Sequence, residues 1–124
     1  MTLKECYAIM EGDYEGLLSR LMTEGLASKY VLKFLADDSL EKLEAAVEEA
    51  DYKSSESIAH SLNGTAKYLG FLNLTHSTRT LINGVREGEY EQNPELLAGA
   101  YEKIKVDYVR VKEVVGIYAK SLTD

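Results

Sequence analysis

The chain has 124 residues, with 14 Lys and Arg against 21 Asp and Glu, and carries a formal net charge of −7. That length argues for one domain spanning residues 1–124. The acidity argues against a non-specific nucleic-acid binder or an anionic-membrane binder, since both need a basic face. With 45% hydrophobic and 28% charged residues there is enough apolar material for a packed core, which speaks against a disordered chain. The single cysteine, Cys6, cannot form an internal disulfide or a cysteine-based zinc site. The stretch from Met1 to Gly16 lacks the charged start and apolar run of a secretion signal, and no apolar run approaches the roughly 18 residues that span a bilayer. These features read as a cytoplasmic protein, or as a cytosolic domain of a longer one.

Taken in chain order, the first 25 residues hold one or two short helices. Their apolar positions are Leu3, Cys6, Tyr7 and Met10, then Leu17, Leu18, Leu21 and Met22, with Gly12 and Gly25 as punctuation. This segment is expected to cap one end of the remainder. From Ser28 to Ala50 the residues Leu32, Ala36, Leu40, Leu43, Val47 and Ala50 recur at helical spacing, which predicts one helix stopping near Asp51-Tyr52. Ser54 or Ser55 is expected to cap the next, with Ile58, Leu62, Thr65, Leu69 and Leu72 as its apolar line. A further helix starts near Leu74 or Thr75 and ends at Gly88, after Leu81, Ile82 and Val85. Asn93 as cap and Pro94 as first helical residue open the longest segment. Its stripe is Leu97, Tyr101, Ile104, Tyr108, Val111, Val115, Tyr118 and Leu122. At ~1.5 Å per residue that helix runs close to 40 Å, which suits an elongated bundle. Short connections between such helices favour antiparallel neighbours. The predicted fold is all-α: an antiparallel up-down-up-down four-helix bundle over residues 26–124, with residues 1–25 as a capping segment. No alternating strand pattern, internal repeat or low-complexity segment is present.

The chemistry centres on His60. If Ile58, Leu62, Thr65 and Leu69 point inward, His60 projects to the opposite side, since each helical residue advances roughly 100°. Gly64 follows one turn on and Lys67 two turns on, sharing the outward face, and Asn63 flanks them. An imidazole in water has a pKa near ~6.5, so at neutral pH its unprotonated ring nitrogen can attack phosphorus. Glycine inside a helix costs roughly 1 kcal/mol relative to alanine and needs a reason; close approach of a partner's backbone is one. A lysine within a turn or two can offset the charge on a transferred phosphoryl group.

The run from Ala59 through His60, Leu62, Asn63, Gly64 and Lys67 to Leu69-Gly70 resembles the signature of histidine-containing phosphotransfer (HPt) domains, roughly A-H-x-L-K-G-x-x-x-x-L-G. The likeness extends from the acidic-aromatic turn Asp51-Tyr52 through the helix order to the long final helix, over about residues 26 to 120. It implies that His60 is the phosphoacceptor, that Gly64 is the close-approach glycine, and that Leu62 and Leu69 hold core positions. In this family a receiver domain supplies the phosphorylated aspartate and the magnesium. The resemblance therefore implies no bound cofactor here, with response-regulator receiver domains as partners, a hybrid sensor histidine kinase as a further one, and a monomeric chain. One departure stands out: Asn63 occupies the position where the family usually has lysine. Asparagine can donate a hydrogen bond to a phosphoryl oxygen but brings no charge, and Lys67 is expected to substitute in part. Two readings stay open, a phosphorelay intermediate and a degenerate docking module that binds a receiver or kinase without being phosphorylated.

Plainer readings apply elsewhere. The Glu-x-x-His pairs of di-iron bundles are absent, because Ser57 precedes His60 by three and Asn73 precedes His76 by three. Metal binding is not expected, and no role is expected of His76. The acidic clusters Glu41-Glu44-Glu48-Glu49 and Glu87-Glu89-Glu91 read as solvated surface.

Overall fold

The computed structural model describes residues 1–123, in which all regular structure is helical. In order these are α1 (Leu3–Met10), α2 (Tyr14–Leu21), α3 (Glu24–Lys33), a 3-10 turn (Phe34–Ala36), α4 (Ser39–Glu48), α5 (Tyr52–Leu69), α6 (Leu72–Arg86), the single turn α7 (Glu89–Gln92) and α8 (Glu95–Ser121). Helix α4 packs on α5, α5 on α6, α6 on α8 and α8 back on α4, closing a ring of four. The cross-helix pairs Glu56 with Arg86 and Asn63 with Arg79 advance on α5 as they retreat on α6, so these two run antiparallel. Tyr101 with Glu44 and Tyr108 with Asp37 show the same for α8 against the α4 side. This is the up-down-up-down bundle the periodicity implies. Leu43, Leu62, Leu74, Leu81, Ile82, Ile104 and Val115 fill its centre and are almost wholly shielded from solvent. Among the described residues no helix is long and apolar enough to cross a membrane.

The N-terminal helices lie over the end where α5 turns into α6. A reciprocal cap between Thr2 and Glu5 starts α1, and its four apolar residues Leu3, Cys6, Tyr7 and Met10 are all buried. The Tyr7 hydroxyl donates to the Leu69 carbonyl at 2.6 Å, and the Asp13 amide donates to the Gly70 carbonyl at 2.8 Å. Gly70 ends α5 at φ 74, a left-handed conformation natural to glycine. Caps, more than glycines, punctuate this region: Asp13 caps α2 and Thr23 caps α3. Gly25 consequently lies inside α3, and α3 begins at Glu24, slightly ahead of the boundary expected at residue 26. Met22, expected on an apolar face, is 81% exposed at the break.

The largest correction concerns Ser28 to Ala50, which is not one helix. The chain leaves α3 through the 3-10 turn, becomes extended at Asp37 (ψ 135) and re-enters helix at Ser39. The Asp37 carboxylate accepts from both the backbone amide (2.8 Å) and the hydroxyl (3.1 Å) of Ser39, a local alternative to continued helix. Ala36 and Ala50, read as part of the stripe, are exposed, and Val31, Phe34 and Ala46 are buried instead. Smaller shifts occur at three starts. Helix α6 opens at Leu72, ahead of the expected Leu74 or Thr75, so Leu72 is exposed and belongs to α6, outside the apolar line of α5. Asp51, not Ser54 or Ser55, caps α5 by accepting from the Ser54 amide at 3.0 Å. Pro94 is the N-cap of α8, with Glu95 its first residue and no side-chain cap. The long stripe is buried from Leu97 to Tyr118, and Leu122 is exposed.

Candidate functional site

With α5 started at Tyr52, the arc it turns to the core holds Ser55, Ala59, Leu62, Asn63, Ala66 and Leu69. The arc is rotated from the expected line: Thr65 is exposed and Ile58 only half-buried. His60, Gly64 and Lys67 stay on the solvent side together, as their spacing implies. Asn63 does not join them. It is 3% exposed and falls just inside the edge of the buried arc, facing α6.

The Asn63 side chain is fully engaged there. Its Nδ2 donates to the Thr75 carbonyl at 2.9 Å and to Thr78 Oγ1 at 3.0 Å. A primary amide has two hydrogens, so no donor remains for a phosphoryl oxygen. Its Oδ1 accepts from Nη2 of Arg79 at 2.9 Å. The expectation that Asn63 itself touches a phosphoryl group therefore fails on placement. A neutral side chain at this position can be buried and satisfied, whereas a buried lysine charge would demand a partner. Residue 63 instead ties α5 to α6 and holds a guanidinium at the edge of the His60 face. One turn before His60, Glu56 pairs with Arg86 of α6 at 2.9 Å. Sequence reasoning missed both arginines. The signal was available, since an antiparallel pair with a short turn at Gly70-Phe71 puts residues 79 and 86 opposite residues 63 and 56.

On the other side of His60 lies an open groove of about 710 Å³. Tyr30, Phe34 and Asp37 form the wall from α3 and the 3-10 turn, and His60, Gly64 and Tyr68 form the wall from α5. Tyr30 is 39% and Tyr68 46% exposed, so the groove presents aromatic surface to solvent beside the imidazole. A methyl group built on Gly64 would meet no atom within 4 Å, so nothing inside the chain requires glycine there. Gly99 and Gly116 of α8 are equally open, and what distinguishes Gly64 is its place one turn after His60 on the groove wall. This wall could not be read from a sequence interpreted as one continuous helix through Phe34. His76 is exposed near the start of α6 and does not line the groove.

The fold is an all-α ring of four helices that presents an open imidazole beside a groove with exposed aromatic side chains. The family model described as Hpt domain matches residues 31–115, more than half of the chain. The chain belongs to the Hpt domain family. Membership implies involvement in histidine phosphotransfer in two-component signalling. Comparison with curated proteins gave no match, and comparison with solved structures gave none.

Proposed function

We propose that the protein is a cytoplasmic phosphorelay intermediate in which His60 accepts a phosphoryl group from a receiver-domain aspartate and passes it to another receiver. The observation that carries this reading is the combination at one spot of an exposed His60, an unobstructed Gly64 and an aromatic groove. The ring nitrogen that carries no hydrogen attacks phosphorus, the P–O bond of the acyl phosphate breaks, and its electron pair leaves on the aspartate oxygen. The other ring nitrogen keeps its hydrogen, so the adduct forms as an imidazolium. The reverse sequence loads the second receiver. A magnesium ion held by the receiver, not by this chain, would offset charge on the departing carboxylate. Gly64 leaves room for the partner's backbone, and Tyr30 and Tyr68 offer apolar area around the imidazole. Lys67 stands two turns on, and helical side chains lean toward the helix N-terminus, which tilts it toward His60.

The test is intact-mass measurement after mixing the protein with a panel of phosphorylated receiver domains from its own source. The expected result is one phosphoryl group per chain, lost in acid and absent from His60→Gln, whose exposed substitution leaves the bundle folded. Labelling that survives in His60→Gln removes His60 as acceptor. Binding to a receiver with no adduct would favour the docking-module reading, for which the absence of lysine at position 63 is the relevant feature.

A further inference from the structure

We infer that Arg79, held in place by the Asn63 side chain, is the cation that supports the phosphoryl group on His60. The inference rests on the reading of His60 as phosphoacceptor and goes beyond it by assigning a residue from the neighbouring helix.

Four cations border the His60 face, and their surroundings differ. Lys33 lines the opposite wall of the groove, where its ammonium lies over the Tyr30 ring at 4.7 Å, on the flank a docked partner would cover. Arg86 is paired with the Glu56 carboxylate at 2.9 Å, so its charge is compensated. Lys67 is exposed, and its side chain makes no hydrogen bond or ion pair among the described residues, so it is unanchored. Arg79 combines an anchor with an uncompensated charge. It has no carboxylate partner within salt-bridge distance among the described residues, and its Nη2 donates to the neutral Asn63 amide oxygen at 2.9 Å. A guanidinium has five N–H donors in a rigid fork that suits phosphoryl oxygens, and the bond to Asn63 uses one.

Position agrees with charge. Asn63 lies three residues after His60, about 4.5 Å along the axis and roughly 60° around it. Arg79 is therefore delivered to the edge of the outward face within a turn of the imidazole, on the side away from the groove. A partner seated in the groove leaves that side open. The Asn63 amide is fixed in turn by Thr75 and Thr78, so the anchor is itself rigid. Asn63 is a positioning residue in this arrangement, and the positive charge that a lysine at 63 would bring is relocated to α6.

The test uses phosphoramidate, a small donor for which docking plays no part. The imidazole nitrogen forms its bond to phosphorus as the P–N bond of the reagent breaks and ammonia leaves. All variants carry His76→Gln so that His60 alone reports, and N-acetylhistidine in the same tube gives the uncatalysed rate. His60 is expected to label faster than N-acetylhistidine, and Arg79→Gln to lose about tenfold of its rate. Arg79→Lys should retain part of that rate, and Asn63→Lys combined with Arg79→Gln should regain part. An Arg79→Gln rate equal to that of the parent, or a parent rate no higher than N-acetylhistidine, overturns the inference. Arg79 is exposed but bonded to the buried Asn63, so a melting curve of each variant checks that the fold is kept. The same variants offered phosphorylated receivers separate the two claims. Full-rate transfer to Arg79→Gln would sink the role of Arg79 while the relay stands. Arg79-dependent labelling by phosphoramidate with no transfer from any receiver would sink the relay and keep the role of Arg79.

Discussion

The Tyr108 hydroxyl of α8 lies 2.7 Å from the Asp37 carbonyl and 2.8 Å from the Asp37 carboxylate, sharing one proton between two acceptors of the same residue. Lys112, one turn on, also donates to that carbonyl. The Tyr108 ring meets Phe34 edge-on at 5.4 Å, and Phe34 meets Phe71 edge-on at 5.1 Å. The break between α3 and α4 is thus pinned from below by the long helix, and with it the Phe34–Asp37 wall of the groove beside His60. Burial, then the hydrogen bond to Asp37 and its negative charge, push the Tyr108 hydroxyl above its ordinary range, so it stays protonated and donating.

Tyr108→Phe should therefore cost about 1–2 kcal/mol, the loss of a hydrogen bond to a partly shielded carboxylate. Urea titration of both proteins checks this through the shift in midpoint at unchanged slope. Equal midpoints would mean that Lys112 alone holds the break.

This pin also shows why part of the molecule was legible from sequence and part was not. The stripe from Leu97 to Tyr118 is a repeated signal over many turns, and it is buried as its spacing says. The outward position of His60 needs only the helical angle, so it survives a rotation of the core arc that turns Thr65 out. Asn63 sits near the arc's edge, where the same rotation decides between solvent and core. The helix break is a different kind of failure. Leu32, Leu40, Leu43 and Val47 keep helical spacing straight through it, and what interrupts the helix is Asp37 bonding to Ser39 and to Tyr108, 71 residues away. Periodicity carries no record of a contact so distant in sequence, so the groove wall was hidden with the break.

Gly64 and Gly84 should respond oppositely to alanine. Around Gly64 there is open space, and alanine is the better helix former, so Gly64→Ala should stabilise the fold by about 0.5–1 kcal/mol. A methyl on Gly84 would collide with the buried Tyr90 ring, so Gly84→Ala should destabilise by about 1–3 kcal/mol. Transfer from a receiver should slow in Gly64→Ala despite its higher stability, and Gly64→Glu should block it by bulk and charge. Thermal melts with transfer rates on the same samples check both halves. Unchanged transfer in Gly64→Glu would remove the close-approach role.

Cys6 is buried against the bundle, and burial alone pushes its thiol up to about 11. The thiolate is the reacting form, so the native protein should resist a disulfide-exchange reagent such as DTNB at pH 8. Its reaction rate should follow the opening of α1, rising with denaturant in step with unfolding. Rapid reaction in native buffer would show that α1 detaches from α8 far more readily than its packing implies.

Asp51 links pH to the start of the helix that carries His60. The backbone amide of Ser54 donates to its carboxylate and, with the Ser54 side chain, lowers its pKa below the usual 3.8; the opposing effect of burial is smaller. A group with a depressed folded pKa contributes stability that is complete above its unfolded pKa and is lost as pH falls through the folded one. Asp51→Asn keeps an N-cap acceptor but has nothing to titrate. The parent should therefore be the more stable of the two at neutral pH, with the gap closing as pH drops from about 5 through and below the ordinary carboxylate value. Melting temperatures of both proteins measured across that window check it. The other carboxylates are common to the pair, so the difference isolates Asp51. Parallel curves would mean that the cap holds the α5 start as a dipole and that its charge is not coupled to folding.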